Sequence, residues 1–160
     1  MAAAKKYWLI KSEPGAYSID DLDRDVVTCW DGIRNYQARN FMRDEMKVGN
    51  MVLFYHSNAE PPAVVGLARV CEEAYPDHTA WDRKSRYFDQ KSTPDNAVWM
   101  MVDIEFVEKF AKPVTLPQLR EARGLDELLV IRRGQRLSIQ PVAKTHFQKI
   151  LALAGSKAKA

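Results

Sequence analysis

The segment Ala97 to Phe110 limits the possible folds of this chain more than any other. Val98, Met100, Val102, Ile104 and Phe106 fall on one face, with Asp103 and Glu105 on the other. A period of two over that length reads as a long strand with one face in the core. Such a strand needs partners. Met51 to His56 and Ala63 to Cys71 have strand patterns, and Gly66 marks a point of close approach within the second. Tyr7 to Ser12 carries Trp8, Ile10 and Ser12 on one side and Tyr7, Leu9 and Lys11 on the other, and Glu13-Pro14-Gly15 ends it. Val26 to Cys29 and Arg136 to Gln140 read as short strands, the latter stopped by Pro141.

Helical signals lie between the strands. Ser18 has the features of an N-cap, followed by Asp20 and Asp21 in a first turn where negative charge is favourable. Asn35 to Met46 places Ala38, Phe41, Met42 and Met46 at helical spacing. Thr115-Leu116-Pro117 opens a short helix, Asp126 to Arg132 is expected to form another, and Ala143 to Leu153 closes the chain on Phe147, Ile150, Leu151 and Ala154. There is no repeating β-α-β pattern, no internal repeat and no linker. The expected architecture is one α+β domain: a bent, mostly antiparallel sheet with flanking helices, rolled toward a small barrel that hides its strand edges. Residues 6–154 form that domain, with a disordered N-terminus at 1–5 and a flexible basic tail at 155–160.

Composition excludes more than it selects. A formal charge of +3 permits nucleic-acid binding without arguing for it. Cys29 and Cys71 lie far apart, as expected of buried free thiols in a reducing compartment. His56, His78 and His146 are scattered, so neither a metal nor another cofactor is expected. No segment approaches the roughly 18 apolar residues of a membrane span. A cytoplasmic monomer is expected, nucleoid-associated in a bacterium or nuclear in a eukaryote.

The chemistry concentrates in Trp30-Asp31-Gly32-Ile33-Arg34-Asn35-Tyr36-Gln37-Ala38-Arg39-Asn40. An aromatic plate, a glycine break and several amide and guanidinium groups suit a site that stacks a flat polar ligand and reads its edges. Trp30 could equally be a core residue, and Asn35 could simply cap the helix. Lys11-Ser12 and His56-Ser57-Asn58 end strands, where pocket rims form. Tyr75 to Pro94 is a long polar, aromatic segment in which Trp81, with Tyr87 and Phe88, could form a second stacking wall.

Four motifs in order resemble the EVE domain, a branch of the PUA-like superfamily: Trp8-Leu9-Ile10-Lys11-Ser12-Glu13-Pro14, the run from Trp30 to Asn40, Phe54-Tyr55-His56-Ser57-Asn58, and Arg136-Leu137-Ser138-Ile139-Gln140-Pro141-Val142. The resemblance covers about Lys6 to Leu153. It implies a PUA-like pseudo-barrel and a non-catalytic reader of a modified, flipped-out nucleobase, with modified cytosine in DNA favoured. In the related YTH domains a Lys-Ser pair and a tryptophan line the pocket, and Lys11, Ser12 and Trp30 resemble them. The implied base-binding set is Lys11, Ser12, Trp30, Asn35, Tyr36, His56, Ser57 and Trp81. Arg34, Arg39, Arg83 and Lys84 are expected to contact phosphate. Arg83, Phe88 and Gln90 depart from the usual family loop. Two alternatives stand beside this one. The related ASCH domains include small amidohydrolases of modified nucleosides, for which Lys11, Glu13 and His56 would be the acid–base candidates. The third is an RNA-binding or protein-interaction domain.

Overall fold

The computed structural model describes residues 5–158, so most of the expected disordered start, and the last two residues of the tail, lie outside the described part. Six strands form one sheet: β1 Tyr7–Ser12, β2 Val27–Trp30, β3 Met51–His56, β4 Ala63–Pro76, β5 Met100–Thr115 and β6 Ile139–Val142. Their order is β2-β5-β4-β3-β1-β6. Among the described residues only the β1–β3 pair is parallel; the other pairings are antiparallel. The helices are α1 Ile19–Asp25, α2 Tyr36–Asp44, α3 Leu116–Glu121 and α4 Lys144–Ala154.

Alternation along β1 divides the core in two. Trp8 and Ile10 pack on one face with Ile19 and Leu22 of α1 and Ala38 and Met42 of α2. Tyr7 and Leu9 pack on the other with Leu119 of α3 and Phe147, Ile150 and Leu151 of α4. Ser18 caps α1 in a reciprocal box with Asp21, and Thr115 caps α3 in the same way with Gln118. Each box satisfies two otherwise orphaned N–H groups. At the start of the tail, Gly155 ends α4 in the left-handed conformation, and the Ser156 hydroxyl donates to Glu108.

Several elements differ from the sequence reading. β5 starts at Met100 and continues past Phe110 to Thr115, with register shifts along the β4–β5 pair that let two long strands bend together. Pro141 lies inside β6 opposite Trp8 instead of stopping it, which an edge strand allows because one side of its backbone makes no ladder bonds. Asp126 to Arg132 holds only a single 3₁₀ turn, Leu129–Ile131. Cys29 and Cys71 are free but only partly buried.

Gly66 is the close approach expected from its place in β4. A Cβ there would lie 2.6 Å from Ile19 Cδ1 and 2.7 Å from the Glu108 carbonyl oxygen. Gly66→Ala therefore forces α1 away from the sheet. The expected cost is about 1–3 kcal/mol, read as a lower urea midpoint with an unchanged slope.

Candidate functional site

The sheet curls until its two ends share one cavity. The edge strand β2 contributes Thr28, Cys29 and Trp30 to the wall, and the opposite end contributes Lys11 and Ser12 of β1 with Ser138 just before β6. The space is about 550 Å³, open on one side and within the usual range of small-ligand sites. Asp31, Gly32 and Ile33 continue the β2 wall, while Arg86 and Tyr87 of the long loop form a second one.

Trp30 is partly buried. Its ring meets Tyr17 edge-on at 6.1 Å and Phe54 edge-on at 5.7 Å. Those contacts hold the indole in place, yet it still borders the cavity. Tyr87 reaches the cavity by lying against the backbone of residue 32, which must be glycine to admit the ring. Gly32 has φ +76°, and a Cβ there would lie 2.6 Å from the tyrosine ring. Ser12 donates its hydroxyl to the Tyr17 carbonyl. Lys11 Nζ donates to the Gln135 carbonyl at 3.0 Å, and burial holds its ammonium below the usual lysine range.

The loop wall is anchored by one buried ion pair. Asp77 is fully enclosed and accepts from Arg34 Nη1 at 3.0 Å, from the Gly32 N–H, and from the N–H and hydroxyl of Thr79. Burial pushes the Asp77 carboxyl up, but the bonds from Thr79, Gly32 and Arg34 outweigh it and hold the net value below the ordinary range. Arg34 also donates to the Tyr87 carbonyl and lies 5.5 Å from the centre of the Trp99 ring.

Of the eight residues expected to bind a base, Lys11, Ser12 and Trp30 line the cavity. The other five do not. Asn35 caps α2, accepting from the Ala38 N–H at 2.9 Å. Tyr36 is exposed and packs on Trp99 at 4.9 Å. His56 Nε2 accepts from the Ile19 N–H at the start of α1, which requires a neutral ring, and burial lowers its pKa accordingly. The Ser57 N–H donates to the Ser12 carbonyl, tying the ends of β3 and β1 together behind the cavity. Trp81 ends the 3₁₀ turn His78–Trp81. Tyr87, named with Trp81 as a possible second wall, borders the cavity where Trp81 does not, and Asp31 and Arg86, outside the expected base-binding set, border it too. The signal for Tyr87 was Gly32, which leaves room for a ring.

The four residues expected on phosphate also divide. Arg34 is committed to Asp77 and Tyr87, and Arg39 donates to the Val98 carbonyl while covering the Tyr36 ring. Arg83 and Lys84 are exposed on the long loop. Among the described residues no group of three His, Cys, Asp or Glu is placed to hold a metal, and no helix is long and apolar enough to cross a membrane.

A curled mixed sheet with flanking helices and a cavity at its unjoined seam defines a PUA-like pseudo-barrel. The chain belongs to the EVE domain family, whose model matches residues 6–153. Thymocyte nuclear protein 1 of Homo sapiens is 41% identical over 165 residues, covering 92% of this chain and 73% of that protein. A crystal structure of a Pseudomonas putida protein superposes with a TM-score of 0.89 at 45% identity, over 92% of this chain and 99% of that one. The human THYN1 protein, solved in complex with 5-methylcytosine-containing DNA, superposes with a TM-score of 0.85 at 40% identity, over 96% of this chain and 100% of that one. An ASCH protein from Zymomonas mobilis has a TM-score of 0.51 at 16% identity, a likeness of fold only.

Proposed function

We propose that this chain is a non-catalytic reader that holds one modified, flipped-out base, modified cytosine in DNA, in the cavity between Trp30 and Tyr87. The observation that carries this reading is the pairing of an indole and a phenol ring on the walls of an open space sized for a single small ligand. The likeness to a protein solved with 5-methylcytosine-containing DNA supports the same reading.

Extruding a base costs a few kcal/mol. Stacking on an aromatic ring returns roughly 1–3 kcal/mol per base, so two walls offset the cost and one does so only in part. A methyl group desolvated on entry adds only about 1 kcal/mol. The methyl preference should therefore be modest, about fivefold, and the affinity should come from stacking and polar contacts. Arg83, Lys84 and Arg86, on or beside the second wall, are the cations available to the strand carrying the base.

The test is a titration of labelled oligonucleotides bearing cytosine, its 5-methyl, hydroxymethyl, formyl and carboxyl forms, and N6-methyladenine. One modified base should bind best, and Trp30→Ala should weaken it by roughly ten- to a hundredfold. Equal affinity for every form, unchanged by that substitution, would overturn the proposal. Turnover of N4-acylated cytidine by the purified protein would overturn the non-catalytic part.

A further inference from the structure

Two neighbouring carboxylates on the Trp30 side of the cavity have opposite surroundings. Asp77 is enclosed and accepts four hydrogen bonds. Asp31, partly buried on the cavity wall, accepts no hydrogen bond from another described residue, and only the more weakly felt charges of His78 and Arg34 favour its ionised form from a distance. No fully buried side-chain nitrogen or oxygen among the described residues lacks a partner, so the Asp31 oxygens, which accept from no other residue, keep some accessible surface on a residue that borders the cavity.

This arrangement is unfavourable on its own. A carboxylate drawn out of water without donors loses solvation it does not regain. Burial, and then the charge of Asp77, push the Asp31 carboxyl above its ordinary value. A cavity wall that carries such a group is suited to a ligand that brings the donor.

We infer that Asp31 is the specificity-determining residue of this cavity, accepting from the exocyclic amino group of the bound base and so selecting cytosine-type bases over thymine and uracil. The inference rests on the proposed base-binding role. 5-Methylcytosine and thymine share ring size and the 5-methyl group, so the aromatic walls and the methyl contact cannot tell them apart. They differ at position 4, where cytosine presents an amino donor and thymine a carbonyl acceptor, and at N3. A carboxylate opposite the amino group gains a charge-assisted hydrogen bond. Opposite the carbonyl it sets lone pair against lone pair and leaves both groups desolvated.

The experiment uses single-stranded oligonucleotides with 5-methylcytosine or thymine at one position, so that neither base must be unpaired. Wild type should prefer 5-methylcytosine by roughly ten- to a hundredfold. Asp31→Asn, whose carboxamide can turn its NH₂ toward the thymine carbonyl, should shrink that preference to about threefold or less. Asp31→Ser, with a hydroxyl that donates as well as accepts, should do the same. Trp30→Ala should weaken both oligonucleotides equally. If Asp31→Asn and Asp31→Ser keep the wild-type preference while Trp30→Ala still weakens binding, the cavity reads bases without Asp31 and this inference fails alone. If Trp30→Ala leaves both affinities unchanged, the base-binding reading fails with it. Unfolding midpoints of the variants, compared with wild type, confirm that each comparison is made on folded protein.

Discussion

Asp77→Ala is expected to destabilise the protein by about 3–5 kcal/mol. Asp77 has no exposed side-chain surface, and the Arg34 guanidinium it pairs with is only 22% exposed. Removing the carboxylate leaves that guanidinium without its counter-ion, and orphans the Gly32 N–H and both Thr79 donors at once. A lost charge and several unsatisfied donors together fall in the upper range for single substitutions. Urea denaturation checks the magnitude. The same pair has a pH signature. The folded carboxyl lies below its unfolded value, so its contribution is complete above about pH 4 and is lost as pH falls through the folded value. Asp77→Ala should therefore lose less stability between pH 5 and strongly acid conditions than wild type does. A variant whose acid sensitivity matches wild type would show that the pair does not anchor the loop.

Gly32→Ala is expected to abolish most binding while costing much less stability. The added methyl would sit 2.6 Å from the Tyr87 ring, and φ of +76° is itself strained for alanine by about 1–2 kcal/mol. Tyr87 must swing off the wall to relieve the clash. Its backbone carbonyl stays fixed by Arg34, so the ring moves and the loop need not unfold. Losing one of two stacking surfaces should weaken binding by roughly ten- to a hundredfold. Tyr87→Ala should reproduce the loss without the strain. Full affinity in both variants would show that the Tyr87 ring is not a stacking wall.

What was legible in the sequence had local causes. Ser18 and Asn35 announced helix starts because capping is decided within four residues. The two faces of β1 separated correctly because alternation is a property of the strand itself. Lys11 and Ser12, expected on a rim because they end a strand, border the cavity, as Trp30 does, since strand ends in a curled sheet fall at its rim. What was missed depends on distant partners. Nothing near Trp81 or Tyr87 says which ring the loop turns inward; that follows from Arg34 and Asp77, 43 residues apart, and from the space above Gly32. Asn35 and His56 carry groups that could read a base, but the Ala38 and Ile19 N–H groups in the first turns of α2 and α1 claim them. The expected helix at Asp126 to Arg132 lies between Gly124 and Gly134, both at positive φ, and a segment that short cannot nucleate an α-helix without strong tertiary support.

The cavity sits where the first and last members of the sheet, β2 and β6, come near one another without pairing. Anything that fills it touches both margins and acts as a clasp on an otherwise unbuttoned cylinder. Occupancy should then slow amide hydrogen exchange most along β2, the margin held by a single neighbouring strand, and raise the melting temperature of the whole domain.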